Sequence, residues 1–205
     1  MSENVARDGV QVHGGMGFIE ETGAAQHYRD AKILTIYEGT TAIQANDLVG
    51  RKTVRDGGAT AKAILAQVRK TEDELREAAL GEAQGDDLAA IRKQLALGSS
   101  ALEEVVDFVV ANAKSDVKGV FAGSVLYLKL AGIVLGGWQM ARAALVAQQK
   151  LKEIESGGEG DAAFLRAKIA TARFFADHIL SGAGGLRSAI VEGSAGVLAL
   201  EVEQF

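Results

Sequence analysis

Cysteine and proline are both absent from the 205 residues. Without a thiol the chain has no disulfide framework, no thiolate metal site and no cysteine nucleophile, which agrees with a reducing compartment and makes the cytoplasm the expected location. Without proline nothing forbids long uninterrupted helices. Alanine, leucine, glutamate and lysine are common, and the β-branched enrichment of sheets is missing. The expected fold class is therefore all-α. Positive charge is not in excess either: 22 Lys and Arg against 27 Asp and Glu give a net charge of -5, with no dense basic run. That excludes the electrostatic footprint of a nucleic-acid binder. His13, His27 and His178 are scattered, with no pair at four-residue spacing on one helix, so no metal site is expected. Met1 to Asp8 shows neither a basic leader nor an apolar core, so no secretory signal is expected there.

What the chain does have is apolar surface to bury: 48% hydrophobic against 24% charged residues is a globular composition and argues against disorder. Val120 to Met140 is almost wholly apolar and about as long as the ~20 residues that span a bilayer. Lys129 falls near its middle, where an ammonium is costly in lipid, and no second span is present to shelter it. The stretch is read as the buried central helix of a bundle, with Gly132, Gly136 and Gly137 admitting close neighbours.

Glycines and periodicity set the organisation. Residues 3–13 read as a helix stopped by Gly14-Gly15, followed by a loop through Met16 to Ile19 and a helix from about Gly23 to Leu34. Thr35 to Thr40 is irregular, and a helix then runs from Thr40 or Thr41 to about Arg55, closed by Gly57-Gly58. Apolar residues recur at helical spacing at Ala61, Ile64, Leu65, Val68 and Leu75, and again at Leu88, Ile91, Leu95, Leu102, Val105 and Val109. One long helix is expected over Val117 to Glu155. Asp161 is placed to cap another over Ala162 to Ser181, with Phe164, Ile169, Phe174, Phe175 and Ile179 packing on both faces. A short helix follows around Leu186 to Glu192. Residues 57–205 thus read as an antiparallel bundle of about four helices, attached to a segment, 1–56, too short to bury its own core. The acidic cluster Glu72, Asp73, Glu74 and Glu77 reads as a solvated face, Arg29 and Asp30 as a structural ion pair, and Trp138 as core.

Three blocks carry chemistry: Gln11-Val12-His13-Gly14-Gly15-Met16-Gly17-Phe18, then Tyr28-Arg29-Asp30-Ala31-Lys32, then Ile36-Tyr37-Glu38-Gly39-Thr40-Thr41-Ala42-Ile43-Gln44. Gly14 to Gly17 follows a helix rather than a strand, so it is not a dinucleotide-binding fingerprint. In order and spacing the three blocks resemble the end of the C-terminal helical domain of the acyl-CoA dehydrogenase family. Beyond Gly58, Leu130-Ala131-Gly132, Gly137-Trp138 and Thr171-Ala172-Arg173-Phe174 resemble the additional C-terminal domain of a bacterial subgroup that includes 3-methylmercaptopropionyl-CoA dehydrogenases. No acid, base or ligand constellation stands out in that extension.

The resemblance implies an FAD-dependent oxidation of an acyl-CoA to a trans-2,3-enoyl-CoA. Glu38 would take the α-proton, and its own backbone N–H, with a flavin ribityl hydroxyl, would hold the thioester oxygen. A carboxylate stripped of water by the acyl chain is a stronger base. The β-hydride would pass to the flavin. Gly39 would lie against the thioester, Tyr37 would line the acyl pocket and Thr40 would contact the ADP part of FAD. Gln11 and Gly15 would contact the FAD of a neighbouring subunit, which makes the enzyme a homo-oligomer. Ala42 departs from the polar residue many relatives have there, which removes one cofactor hydrogen bond. An electron-transfer flavoprotein is the implied acceptor. The family's N-terminal helical and β-barrel domains are not within this sequence, so by itself the chain should be inactive. The alternative reading is a non-catalytic helical oligomerisation module.

Overall fold

The computed structural model describes residues 2–80 and 84–204, which are helix, turn and irregular chain without a strand. The chain divides into two compact units, Met1–Gln44 and Ala45–Phe205.

In the first unit, α1 (Ser2–Val12) and α3 (Ala24–Ile33) pack as an antiparallel pair. Lys32 near the end of α3 pairs with Glu3 at the start of α1, 3.0 Å away. Gly14 turns the chain at φ 59. The expected loop after it is a single helical turn, α2 (Gly15–Phe18). Gly17 explains the difference: its N–H donates to the Gly14 carbonyl at 2.9 Å, and a Cβ on it would lie 2.2 Å from the Val10 oxygen, so only glycine lets this turn settle on α1. Arg29 pairs with Glu20 rather than Asp30, through two hydrogen bonds of 2.9 and 2.8 Å. Adjacent helical residues do not face each other, whereas Glu20 on the preceding turn comes within reach.

After α4 (Thr41–Asp47), the expected α-helix widens into a π-helix over Leu48–Val54 and stops at Gly57 and Gly58, with φ 64 and 80. The Asp56 carboxylate accepts from the N–H groups of Gly58 and Thr60, at 3.0 Å each, and so satisfies the free end of α5 (Ala59–Ala78). Hydrogen bonds from Thr60, side chain first and backbone second, hold the Asp56 carboxyl below its ordinary value of 3.8. A depressed value means stabilisation that is complete above the unfolded value and lost as pH falls through the folded one. Asp56→Ala should therefore lower the melting temperature near neutral pH, and melts followed down to about pH 2.5 should show the two proteins converging.

The bundle comprises α5, α6 (Gly85–Asn112), the short α7 (Val117–Ala122), α8 (Ser124–Glu155) and α9 (Ala162–His178). It is completed by α10 (Ala183–Glu192), which packs on α6 and α8, and by α11 (Ser194–Val197). The periodic residues of α6 are buried as expected, as are Leu65, Val68 and Leu75 of α5, each such side chain stabilising the fold by roughly 1.5–3 kcal/mol. By length and composition α8 could cross a membrane. It buries Tyr127, Leu130, Val134, Ala141, Ala144 and Leu151 along one face, against α5, α6, α9 and α10, and leaves Lys129 exposed.

Four expectations are corrected here. The long helix over Val117 to Glu155 breaks at Gly123, where a Cβ would lie 2.9 Å from Ile190 Cγ2 of α10. Asp116 caps α7 by accepting from Gly119 N–H at 3.0 Å. Of the three glycines in α8, Gly136 and Gly137 admit Phe175 and Leu180, while Gly132 meets nothing. Asp161 does cap α9, accepting from Phe164 N–H at 2.9 Å, yet only one face of that helix is packed. Phe164 and Phe174 are exposed, with Lys168 over the first ring and His178 stacked on the second. Finally, Glu72 leaves the solvated acidic face and is buried, accepting from Ser99 Oγ at 2.6 Å. Trp138 is half-buried, its indole N–H donating to Thr71 Oγ1 at 2.9 Å.

Candidate active site

Helix α3 ends in tightening turns, with Thr35, Ile36 and Tyr37 N–H groups donating back to Lys32 and Ile33 carbonyls. The chain then reverses into α4 through Glu38 at φ 54 and Gly39 at φ 101. Glycine suits such a conformation; glutamate does not, and a non-glycine residue held there costs roughly 1–2 kcal/mol. Among the described residues Glu38 alone of the non-glycines has positive φ, so the strain is local to this turn. The Gln44 side-chain amide donates to the Glu38 carbonyl oxygen at 2.7 Å and pins the turn from inside α4. Gln44 was visible in the sequence as the last residue of the third block, six positions after Glu38, with no role attached.

The turn leaves its chemistry free. Glu38 is exposed, and no cation or hydrogen-bond donor among the described residues reaches its carboxylate. The N–H groups of Glu38, Gly39 and Thr40 find no acceptor among the described residues, whereas Thr41 N–H donates to Thr35 O at 3.3 Å. An unpaired carboxylate on a fixed backbone, beside unpaired N–H donors, can accept a proton from a bound molecule while the donors hold a neighbouring oxygen. Tyr37, 49% exposed, stands next to it, and the Thr40 side chain is exposed before α4.

Gln11 and Gly15 lie elsewhere. Because α1 and α3 are antiparallel, these residues sit at the end of the pair opposite Lys32 and the Glu38 turn, separated by the ten residues of α3, about 15 Å of helix. Both are exposed, and a Cβ on Gly15 would meet nothing within 4 Å. Gly17 is required by packing and Gly14 by its φ, but Gly15 by neither. No group of three metal-ligating side chains occurs among the described residues.

Two family models match the chain. Residues 1–52 match the acyl-CoA dehydrogenase C-terminal domain, and residues 64–201 match a domain described as acetyl-CoA dehydrogenase C-terminal like. The 3-methylmercaptopropionyl-CoA dehydrogenase of Ruegeria pomeroyi is 49% identical over 86% of this chain and 28% of its own length. A broad-specificity linear acyl-CoA dehydrogenase of Mycobacterium tuberculosis is 33% identical over 84% of this chain, again 28% of its own. The human mitochondrial short-chain specific acyl-CoA dehydrogenase is 46% identical over 46 residues, 22% of this chain and 11% of its own. The chain thus spans less than a third of the length of these relatives.

Proposed function

Because the chain belongs to the acyl-CoA dehydrogenase family, we propose that it is the C-terminal part of a longer FAD-dependent enzyme that oxidises an acyl-CoA thioester to a trans-2,3-enoyl-CoA, with Glu38 as the base for the α-proton. One observation carries this reading: a glutamate held in the left-handed region, with both its carboxylate and its own N–H unpartnered. A non-glycine residue at positive φ is uncommon, and such strained positions cluster at functional sites. A base that must also lend its N–H to the substrate oxygen needs that fixed turn.

The proton moves from Cα to a Glu38 carboxylate oxygen, while the N–H of Glu38 donates to the thioester oxygen as negative charge builds there. Gly39 lets the thioester lie close to the backbone, and Tyr37 forms part of the acyl wall. Bound FAD supplies the acceptor for the β-hydride. The residues fit that cofactor: Gly15 is a glycine that neither φ nor packing demands, and so leaves room for a close ligand, and the Gln11 and Thr40 side chains are exposed. The assignment of Gln11 and Gly15 to the cofactor of a neighbouring subunit, in a homo-oligomer, follows the family resemblance. An electron-transfer flavoprotein is the proposed onward acceptor.

The first unit supports the larger protein as well. Among its described residues it buries only Gly17 and Ala24, and it exposes Val12 at 85% and Phe18 at 82%. Such apolar surface calls for a covering layer, which the remaining domains of the enzyme would supply. An oligomerisation module would also cover it, but gives no reason for the turn at Glu38. Residues 57–205 form, on this reading, an added packing domain. The 205-residue chain purified by itself should elute colourless from gel filtration, and the complete polypeptide yellow. Stoichiometric flavin absorbance on the isolated chain would overturn the division of labour proposed here.

A further inference from the structure

Within the second unit, the π-helix borders a half-open cleft of about 160 Å³, with exposed Lys52 and Thr60 at its rim, that the proposed chemistry does not use. Ile64 of α5, Leu102 of α6, and Ala131 and Leu135 of α8 form its apolar walls. Apolar-lined voids of about 150 Å³ stay dry and take up benzene. The widened turns of Leu48–Val54 contribute Leu48, Lys52 and Thr53 to the lining, and such turns are frequent at functional sites.

The lining is almost wholly apolar, and buried Thr53 and Tyr127 contribute to it. Thr53 Oγ1 and Tyr127 OH share a hydrogen bond of 3.0 Å, and both residues are buried. Two hydroxyls that share one hydrogen bond keep a further hydrogen and several lone pairs between them. Burial pushes the Tyr127 phenol up, so it stays protonated and able to donate at neutral pH. Lys52 also borders the cavity, but its side chain is 61% exposed and pairs with Asp47 at 3.6 Å, which leaves no free cation to hold an anion inside.

We propose that this cavity is a binding site for a small neutral molecule of about benzene size carrying one hydroxyl, of the phenol or short-chain alcohol class. Its apolar body lies against Ile64, Leu102 and Leu135, and its hydroxyl joins the Thr53–Tyr127 pair.

The test uses the 205-residue chain, isotope-labelled for NMR, with phenol and benzene as probes. Phenol should raise the melting temperature progressively with the logarithm of its concentration above Kd and shift the amide signals of Thr53, Tyr127 and Ala131. It should bind more tightly than benzene by about 3- to 10-fold, the worth of one hydrogen bond. Thr53→Val should erase most of that preference while benzene still binds. Ala131→Leu and Ala61→Ile each fill the void from a different helix, so whichever folds should lose both probes and melt no lower than the parent. Two results would overturn the proposal: neither probe shifting any of these signals at about 10 mM, far above the affinity a useful site needs, or undiminished phenol binding in a folded, filled variant.

Discussion

Glu38→Gln in the complete enzyme should abolish bleaching of the flavin by acyl-CoA while the cofactor stays bound. Glutamine has nearly the same size, keeps the backbone N–H that would face the thioester oxygen, and leaves the Gln44 bond to the residue 38 carbonyl in place. What it lacks is a basic oxygen. General acid–base catalysis is worth about 10²–10⁴-fold, and abstraction of a weakly acidic α-proton lies at the upper end, so reduction should slow by at least about 10³-fold. Stopped-flow absorbance measures that rate, and the visible spectrum of the resting protein reports retention of FAD. Bleaching at the normal rate would remove Glu38 from its role without touching the family assignment, which rests on the whole sequence.

The second large effect concerns the bundle. Leu180, just after α9, is fully buried with its side chain between two glycines: a Cβ on Gly98 of α6 would lie 2.8 Å from its Cδ1, and one on Gly137 of α8 would lie 2.7 Å from its Cδ2. Leu180→Ala opens a hole whose glycine walls have no side chains to lean in. The cost should therefore fall in the upper part of the usual range, about 3–5 kcal/mol, which for a unit of this size lowers the melting temperature by roughly 6–20 °C. Gly137→Ala should destabilise the parent by crowding Leu180. In the Leu180→Ala background the same change should be neutral or stabilising, since alanine is the better helix former by about 1 kcal/mol. Denaturation of the four proteins should give a coupling of about 1–2 kcal/mol. Simple additivity would mean that Leu180 does not sit between the two helices.

Much of this architecture is legible in the sequence because the signals are local. Periodic apolar residues mark the buried faces of α5 and α6, Asp161 announces α9, and Gly57-Gly58 ends the helical run before α5. Two of the misses depend on a distant partner. Nothing near Gly123 distinguishes it from Gly132, yet Ile190 of α10 packs at the first and nothing reaches the second. Glu72 looks like its acidic neighbours, and only Ser99 across the α5–α6 contact makes it a buried acceptor. The π-helix has no signal in Leu48 to Val54 that an α-helix would not share. At the candidate site, the three blocks pointed to Glu38 through resemblance. They did not disclose its left-handed backbone or the Gln44 support, because neither follows from residue type.

The claim on which the rest depends is that a carboxylate on a strained turn meets the carbon next to a thioester. A crystal structure of the complete polypeptide with FAD and an unreactive acyl-CoA analogue measures this directly. The expected result is a Glu38 carboxylate oxygen about 3–3.5 Å from Cα of the analogue, the separation of groups ready to react, with the Glu38 N–H on the thioester oxygen. A Glu38 side chain directed into bulk water, remote from both thioester and flavin, would contradict it.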